Sequence, residues 1–346
     1  MGTKGRPYSR IKDLHIEVSL NQNVESPRTT GLEDVELMPG FPTFALSDME
    51  TATLFLGKRI SLPLLIAPLT GGGKESLRIN RNLAVAAEQA GIAMALGSQR
   101  PMLEKKVDPQ SYLVREFAPT IPLLANLGLV HAKRGDAYLL QAIESVRADG
   151  IMLYVNPLHE ILQEEGEDDF RDALSALEKI IKTFPYPVLL KEVGTGFPIP
   201  LVNWASERRI AGIDTAGLGG TNWARIEGLI QGKDYSMYEA LGSCTRDTLM
   251  AVRGSIGKGR YLIASGGIRS GVDMAKAFAL GADLCSMALP FLRWAAKSGE
   301  EVVRGIEKLR EELKIAMWYA GARTVNELKG NFQTMSRSGL TAKNAP

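Results

Sequence analysis

The sequence predicts an α/β fold, a closed (β/α)8 or TIM barrel with an N-terminal extension. Three observations lead to this prediction: eight short apolar runs, a helix-like segment after each run, and polar residues where the runs end. Continuous apolar runs suit parallel strands that are buried on both faces. Eight alternating units favour closure into a barrel over an open doubly wound sheet.

The eight runs are the predicted strands. Their starts lie 22 to 49 residues apart, which leaves room for a crossover helix after each strand. An open sheet that binds a dinucleotide usually carries GxGxxG after its first strand, whereas the turn after the first run reads TGGGKES. The runs cover residues 64–70, 92–98, 123–128, 151–156, 188–194, 213–217, 262–267 and 284–289.

Two of the intervening segments show the apolar stripe of an amphipathic helix. One stripe falls within residues 173–181, and the other falls within 302–313, in a helix expected to end near Gly321. A long loop is predicted over 219–243. It would lie on the face where the strands end, which is where barrel enzymes keep their chemistry.

Three regions are expected along the chain. Residues 1–60 would form an extension packed on the barrel, and residues 61–329 the barrel itself. Residues 330–346 are polar and small, and are expected to form a mobile tail.

Composition excludes several classes of protein. The 346 residues are 45% hydrophobic and 23% charged with a net charge of +2, so neither a disordered chain nor a nucleic-acid binder is expected. The longest apolar stretches are too short to span a bilayer, and the N-terminus lacks the apolar core of a signal peptide. Two cysteines without a CxxC pair favour a cytoplasmic location, with no disulfide framework or structural zinc.

Polar residues follow seven of the eight predicted strands. Turn chemistry explains single glycines, but not hydrogen-bonding and charged residues at one edge of seven strands. The motif ASGGIRSG at 264–271 exposes backbone N–H groups just before a helix, so a phosphate is expected there, at the N-terminus of that helix. Alone, this motif does not distinguish FMN from a sugar phosphate.

Lys191 lies within the fifth predicted strand, where an unpaired charge is costly. An ion pair with Glu192 or Asp214 is one explanation. The interpretation favoured here is a cation beside an electron-rich cofactor ring.

His159 and Glu160 follow the fourth predicted strand. Glu160 could bind Mg²⁺, and the imidazole of His159 could transfer protons or simply make a polar contact at a helix start. Glu227 is a candidate site acid, with a surface ion pair as the alternative. The acidic run 164–169 is interpreted as a solvated loop.

Taken together, these motifs resemble the type 2 isopentenyl diphosphate isomerases, which are FMN-dependent (β/α)8 enzymes. The resemblance covers roughly residues 10–321. The motifs that carry it are LTGGG at 69–73, GSQR at 97–100, ANLG at 125–128, KEVGTGF at 191–197, DTAGLGGTNWARIE at 214–227 and SGGIRSG at 265–271.

The resemblance implies a role for each matching residue. Residues expected to contact the flavin are Thr70, Ser98, Asn126, Lys191 and Thr221. Residues expected around its phosphate are Gly266, Gly267, Arg269, Met287 and Ala288. Lys12, Arg100, Asn156 and His159 would bind a small-molecule diphosphate, Glu160 would hold Mg²⁺, and His159, Lys191 and Glu227 would be catalytic. The resemblance also implies NAD(P)H as reductant and a homo-oligomer, a tetramer or octamer.

The chain departs from the family pattern where the substrate is expected. Ile11 stands where the family has arginine, although Arg10 lies one residue earlier. Tyr154 replaces a substrate-facing histidine, and His159 replaces a glutamine assigned to proton relay. A Trp-Gly-x-Pro-Thr stretch is degraded at 241–245.

Three alternatives stay open. The first is an FMN-dependent oxidoreductase acting on another substrate, such as a 2-hydroxy acid, but GLGGTNW lacks the histidine that such enzymes carry after strand six. The second is a relative of inosine-phosphate dehydrogenase, with Cys244 as a superficial match to its nucleophile. The third is a flavin-binding scaffold without turnover.

Overall fold

Eight parallel strands close into a barrel in the computed structural model, which describes residues 7–164 and 166–335. Each strand pairs with the next in sequence, and β8 pairs with β1 to complete the ring. All eight predicted strands are confirmed, although most are shorter because their polar ends lie in loops. The strands are β1 Leu64–Ile66, β2 Ala93–Ala95, β3 Leu123–Gly128, β4 Gly150–Tyr154, β5 Val188–Lys191, β6 Gly212–Asp214, β7 Tyr261–Ala264 and β8 Leu284–Met287.

Both predicted amphipathic helices are present. Ala173–Ile181 buries Leu177, and Gly299–Tyr319 buries Ile306 and Leu309 on one face. The second helix ends at the expected place, since Gly321 has a φ of +68° that helical residues cannot adopt. The twelve α-helices within the described residues are Tyr8–Asn21, Lys74–Ala90, Arg100–Leu103, Asp136–Val146, Pro157–Leu162, Ala173–Ile181, Ile199–Ser206, Trp223–Gln231, Thr245–Ser255, Gly271–Ala279, Leu289–Ala295 and Gly299–Tyr319. None of them is long and apolar enough to cross a membrane.

A hairpin closes the barrel at the N-terminal ends of its strands. Its strands, Thr53–Phe55 and Lys58–Ile60, place Phe55 and Ile60 against the barrel interior, where both are fully buried. The ring of Phe55 packs edge-on against Tyr261 at 4.9 Å. With this end filled, a ligand has to enter from the opposite end.

The N-terminal extension crosses that opposite end. The helix Tyr8–Asn21 contributes side chains to both cavities described below. Residues 24–26 then pair with 220–222, because Ser26 donates its N–H to Gly220 and Asn222 donates to Val24, at 2.7 and 2.8 Å. The extension therefore forms one wall of the site.

Part of the segment 330–346, expected to form a mobile tail, is paired with the rest of the chain. Phe332–Thr334 pairs with Val35–Leu37, and Gly330 donates its N–H to Ala279 at 2.8 Å. Residues 336–346 of that expected tail lie outside the described residues.

The segment 219–243 is not one long loop, as expected, because it contains the helix Trp223–Gln231. Asn222 caps this helix by accepting the N–H of Arg225 at 3.1 Å, and Gly232 ends it with a φ of +67°. Both cap positions were visible in the sequence. The helix lacks a purely apolar stripe, because Glu227 and Gln231 are among its buried residues, whereas the equally long helix Ala173–Ile181 buries apolar residues alone.

Candidate active site

Two adjoining cavities open at the C-terminal ends of the barrel strands. The glycine cavity, of about 1040 Å³, is lined mainly by the loops after β6, β7 and β8. The charged cavity, of about 940 Å³, is lined by the loops after β2 and β4 and by the helix Tyr8–Asn21. Six residues line both and so form a common wall: Lys12, Pro68, Leu69, Lys191, Val193 and Trp223.

The turn after β7 requires glycine at two successive positions. Gly266 and Gly267 have φ values of +101° and +74°. A Cβ on Gly266 would lie 2.0 Å from the carbonyl oxygen of Gly217, and one on Gly267 would lie 2.2 Å from that of Gly219. Both residues line the glycine cavity, and their N–H groups have no partner among the described residues. This turn can therefore bind an anion through the main chain.

The helix after this turn, Gly271–Ala279, does not offer its N-terminus to the cavity, which corrects the expectation for the phosphate. Asp273 and Glu312 already accept the N–H groups of residues 269–271, at 2.8 to 3.0 Å. The helix Leu289–Ala295 does bring its N-terminal end to the cavity, since its first residue and the residue before it line the wall.

Three buried oxygen atoms around the cavities lack a hydrogen-bond partner within the described part of the chain. They are Asn126 Oδ1 on β3, Asp214 Oδ2 on β6 and Ser286 Oγ on β8. Burial raises the pKa of Asp214, while the charge of Lys191 and a hydrogen bond from Ser265 oppose that rise. An unsatisfied buried polar atom costs about 1–3 kcal/mol, so these atoms mark places for a polar ligand.

Lys191 is 7% exposed and lines both cavities. It makes no ion pair within 4.0 Å of another described residue, which removes the structural explanation offered by the sequence. Its Nζ donates to the carbonyl oxygen of Glu192. The carboxylate of Glu192 instead accepts the N–H groups of residues 193–195 and so fixes the loop after β5.

Two histidines share one carboxylate beside the common wall. Nε2 of His15 lies 3.0 Å from Glu227 Oε1, and Nε2 of His159 lies 3.2 Å from the same atom. The His159 ring stacks on Trp223 with centroids 4.4 Å apart, and the His15 ring meets Trp223 edge-on at 5.5 Å. His159 thus lies at the cavity with its ring orientation set by two neighbours.

Glu227 and His15 in this cluster shift each other's pKa values. Burial alone would raise the pKa of Glu227, but hydrogen bonds from His15 and His159 lower it well below its usual range. Burial lowers the pKa of His15, although the hydrogen bond to Glu227 opposes this. Glu227 is 2% exposed, so the surface ion pair considered for it is wrong.

Positive charge collects in the charged cavity. Arg100 and Lys12 both line it, and burial together with the charge of Arg100 lowers the pKa of Lys12. Tyr154 is also there, and burial followed by the charge of Glu160 raises its pKa. Glu167 lies 3.1 Å from Arg100. The acidic run is therefore more than a solvated loop.

Asn156 and Glu160 make hydrogen bonds that stabilise the segment around His159. Asn156 caps the helix Pro157–Leu162 by accepting the N–H of His159 at 2.6 Å, and it does not line either cavity. Glu160 is 6% exposed and accepts the N–H of Glu167 at 2.7 Å. Among the described residues, no group of three or more His, Cys, Asp or Glu side chains could hold a metal.

The other predicted site residues divide between the two cavities. Arg269 lines the glycine cavity, but its guanidinium is held by Glu25 at 2.6 Å. Ser98 hydrogen-bonds to Tyr154 in the charged cavity. Besides the residues already placed, the glycine cavity is lined by Thr70, Thr221, Met287 and Ala288, and the charged cavity by Asn126.

Comparison with known proteins identifies the family. An isopentenyl-diphosphate delta-isomerase from Paracoccus zeaxanthinifaciens is 44% identical over 345 residues, which cover 94% of this chain and 95% of the relative. The chain belongs to the isopentenyl-diphosphate delta-isomerase family. Another member, from Oceanobacillus iheyensis, is 38% identical and covers 92% of this chain and 93% of its own length.

Two further likenesses are more distant. The family model for FMN-dependent dehydrogenases matches residues 242–334. A crystal structure of a mandelate oxidase variant with an FMN adduct superposes with a TM-score of 0.66, at 22% identity, over 93% of this chain and 95% of that one. At that identity the likeness shows the barrel fold alone.

Some residues of the isomerase site were missed by the sequence interpretation. The sequence analysis assigns no role to His15, and none to Trp223, although Trp223 lies in the motif at 214–227. Asp214 was considered only as a partner of Lys191. Nothing in the sequence singled out Ser286 beyond its place in the eighth strand.

Proposed function

We propose that the chain is an FMN-dependent isomerase that interconverts isopentenyl diphosphate and dimethylallyl diphosphate. The observation that carries this proposal is the common wall between the two cavities. A flavin in the glycine cavity would face a substrate in the charged cavity, beside His159. The relatives named for this activity support the proposal across more than nine-tenths of the chain.

FMN fits the glycine cavity on two observations. The partnerless N–H groups of Gly266 and Gly267 suit its phosphate, with Arg269, Met287 and Ala288 around them. The unsatisfied oxygens of Asp214 and Ser286, which line this cavity, suit the polar atoms of the ring and side chain. Thr70, Lys191 and Thr221 line the same cavity and complete its contacts. Asn126 and Ser98 line the charged cavity, so they would contact the flavin only where its ring extends past the common wall. When bound and reduced, FMN supplies an electron-rich ring next to the reacting carbons.

The diphosphate belongs at the cationic end of the charged cavity. Arg100 and Lys12 would bind it, since guanidinium and ammonium groups are the usual partners of phosphate oxygens. Glu160 would hold Mg²⁺ together with diphosphate oxygens, which are a suitable ligand set, but it would first have to reach the cavity, since it lines neither cavity and accepts the N–H of Glu167. Asn156 contributes by capping the helix that carries His159 and Glu160.

His159 is the group that we assign to proton transfer at the allylic carbons. It lies in the charged cavity, next to the wall shared with the glycine cavity. Glu227 fixes the Nε2 side of the ring, and His15 contacts the same carboxylate oxygen and so positions Glu227. Lys191, between the cavities, places a positive charge near the flavin.

Three further features complete the proposal. NAD(P)H would reduce the flavin once without net consumption, as the family resemblance implies. The same resemblance supports a homo-oligomer, with a small-molecule diphosphate as the ligand of each chain. Buried free thiols at Cys244 and Cys285 support a cytoplasmic location.

An anaerobic assay tests the proposal directly. The purified protein should show a flavin absorption spectrum, and with reductant, Mg²⁺ and isopentenyl diphosphate it should form dimethylallyl diphosphate. Bound flavin without product under these conditions would contradict the proposal.

A second function, oxidation of another substrate by the same flavin site, is favoured by one observation. Three departures from the family pattern, Ile11, Tyr154 and His159, all line the charged cavity, and none lines the glycine cavity. Anaerobic bleaching of the flavin by a 2-hydroxy acid, with no isomerase product, would support this function instead.

A further inference from the structure

The proposed diphosphate ligand Arg100 already carries an anion supplied by the protein. Glu167 Oε1 lies 3.1 Å from Arg100 Nη1, and the Tyr8 hydroxyl lies 3.3 Å from Nη2. The side chain of Arg100 is 12% exposed and that of Glu167 is 34% exposed. A substrate anion that binds Arg100 has to compete with this carboxylate.

Glu167 has a second cationic neighbour on its outer side. The same oxygen lies 3.4 Å from His131 Nε2 and 3.9 Å from Arg134 Nη2. Arg134 lines neither the charged nor the glycine cavity, and it also pairs with Glu104 at 2.8 Å. A side-chain rotation of Glu167 can therefore exchange Arg100 for Arg134 without leaving the carboxylate unpaired.

The main chain at Glu167 is fixed, although its side chain can pair with either Arg100 or Arg134. Its N–H donates to Glu160 Oε2 at 2.7 Å, and Glu160 is 6% exposed. Glu160 is the residue proposed to hold Mg²⁺. The displaceable carboxylate is thus anchored to the same helix that carries the proposed metal ligand and His159.

We propose that Glu167 is a displaceable counter-ion of Arg100, so that binding of the substrate diphosphate is an exchange of one anion for another. This inference rests on the proposed function only for the identity of the incoming anion. While the cavity holds no substrate, Glu167 neutralises Arg100. When the diphosphate arrives, the carboxylate moves to Arg134 and remains close enough to return as the product leaves.

The test is equilibrium binding of inorganic pyrophosphate to the full-length purified protein with its flavin, in EDTA so that Mg²⁺ plays no part. Glu167→Gln keeps the shape of the side chain and removes its charge. It should bind pyrophosphate about fivefold more tightly than the unaltered protein, the upper range for a partly exposed ion pair. Asp169→Asn is the matched control, since Asp169 is in the same loop but pairs with Arg171, and it should change nothing.

Arg134→Gln should have the opposite effect on the affinity for pyrophosphate. Without Arg134, Glu167 should stay on Arg100 and pyrophosphate should bind more weakly. In a Glu167→Gln background, the same change should have little further effect, because the two residues act through one contact. Should Glu167→Gln unfold, Glu167→Asp keeps the charge and the backbone bond but shortens the reach, and it should give a smaller gain in affinity.

The outcomes separate this inference from the proposed function. Unchanged or weaker pyrophosphate binding by Glu167→Gln would show that Glu167 only positions Arg100, and absence of binding by both proteins would show that Arg100 is no anion site. Either result overturns the inference, even for an active isomerase. A fivefold gain in a protein without isomerase activity would support the inference and contradict the proposed function.

Discussion

The glycine cavity and the charged cavity depend to different degrees on the main chain. The first contains a turn that tolerates no Cβ at Gly266 or Gly267 and offers main-chain N–H groups. The second is walled by ionisable side chains, such as Arg100, His159 and Glu227, from elements far apart in sequence. A site formed by the main chain can change little without losing its shape, whereas a site formed by side chains can change by one substitution at a time. This explains why three departures from the family pattern, Ile11, Tyr154 and His159, line the charged cavity and not the glycine cavity, while the fourth, at 241–245, lines neither.

The largest expected effect comes from altering the main-chain turn. Gly267→Asp would place a Cβ against Gly219 and a carboxylate beside the proposed phosphate, at a backbone conformation that only glycine adopts easily. The variant should be purified without flavin, which its absorption spectrum would reveal. Gly254→Asp, where a Cβ meets nothing within 4 Å, should keep the flavin. Normal flavin content in Gly267→Asp would refute this placement of the phosphate.

Changes at His159 should alter the charged cavity without emptying the glycine cavity. His159→Ala removes the proposed proton-transfer group and should reduce kcat by about 10²–10⁴-fold, with flavin content unchanged. His159→Gln restores the family residue and can still donate to Glu227. It should retain some isomerisation, because its amide keeps this hydrogen bond. Equal rates for the two variants would mean that His159 has no role in proton transfer and only caps the helix or packs against its neighbours.

Lys191 belongs to the common wall, so its removal tests how the cavities are coupled. Lys191→Met keeps a side chain of similar length, and the loss of charge should make the flavin harder to reduce. A lowering of the potential on the order of 30 mV corresponds to one factor of ten for a two-electron couple. Spectroscopic titration against a reference dye would measure it. Lys258→Met, on an exposed residue, serves as the control, and an unchanged potential in Lys191→Met would contradict the tuning role.

Much of the barrel could be predicted from the sequence because buried parallel strands have a local signature. Each run of Val, Ile, Leu and Ala identifies its own strand without reference to the rest of the chain. The glycine turn could also be predicted, because the seven successive residues SGGIRSG contain the glycines that its backbone conformation requires. Both features depend on short stretches of chain, and the structure agrees with both.

The charged cavity depends on contacts that no local pattern contains. His15 and Glu227 are joined by a hydrogen bond although they lie 212 residues apart in sequence. Glu312 accepts the N–H of Gly271, the first residue of the helix Gly271–Ala279, from 41 residues further along the chain. The first contact assembles the proton-transfer cluster, and the second removes a helix N-terminus expected to bind phosphate. Motif matching placed His159 and Glu227 at the site, but only the fold shows that one carboxylate oxygen serves two imidazoles.

The smallest expected effect concerns His131, the histidine that lines neither cavity. Burial lowers its pKa, although the charge of Glu167 and a hydrogen bond with Gly128 oppose this. In the unfolded chain, imidazole takes up a proton near pH 6.5, about its unperturbed value. As the pH falls through that value, the unfolded state gains the proton before the folded state does, so the free energy of unfolding decreases. His131→Asn removes this titration, while its amide can replace Nδ1 as donor to the Gly128 carbonyl at 3.0 Å. Denaturant unfolding between about pH 7.5 and 5.5 should show a shallower loss of stability in the variant than in the unaltered protein. Parallel slopes would mean that His131 accepts its proton in the folded state as readily as in the unfolded chain, with Glu167 as its partner.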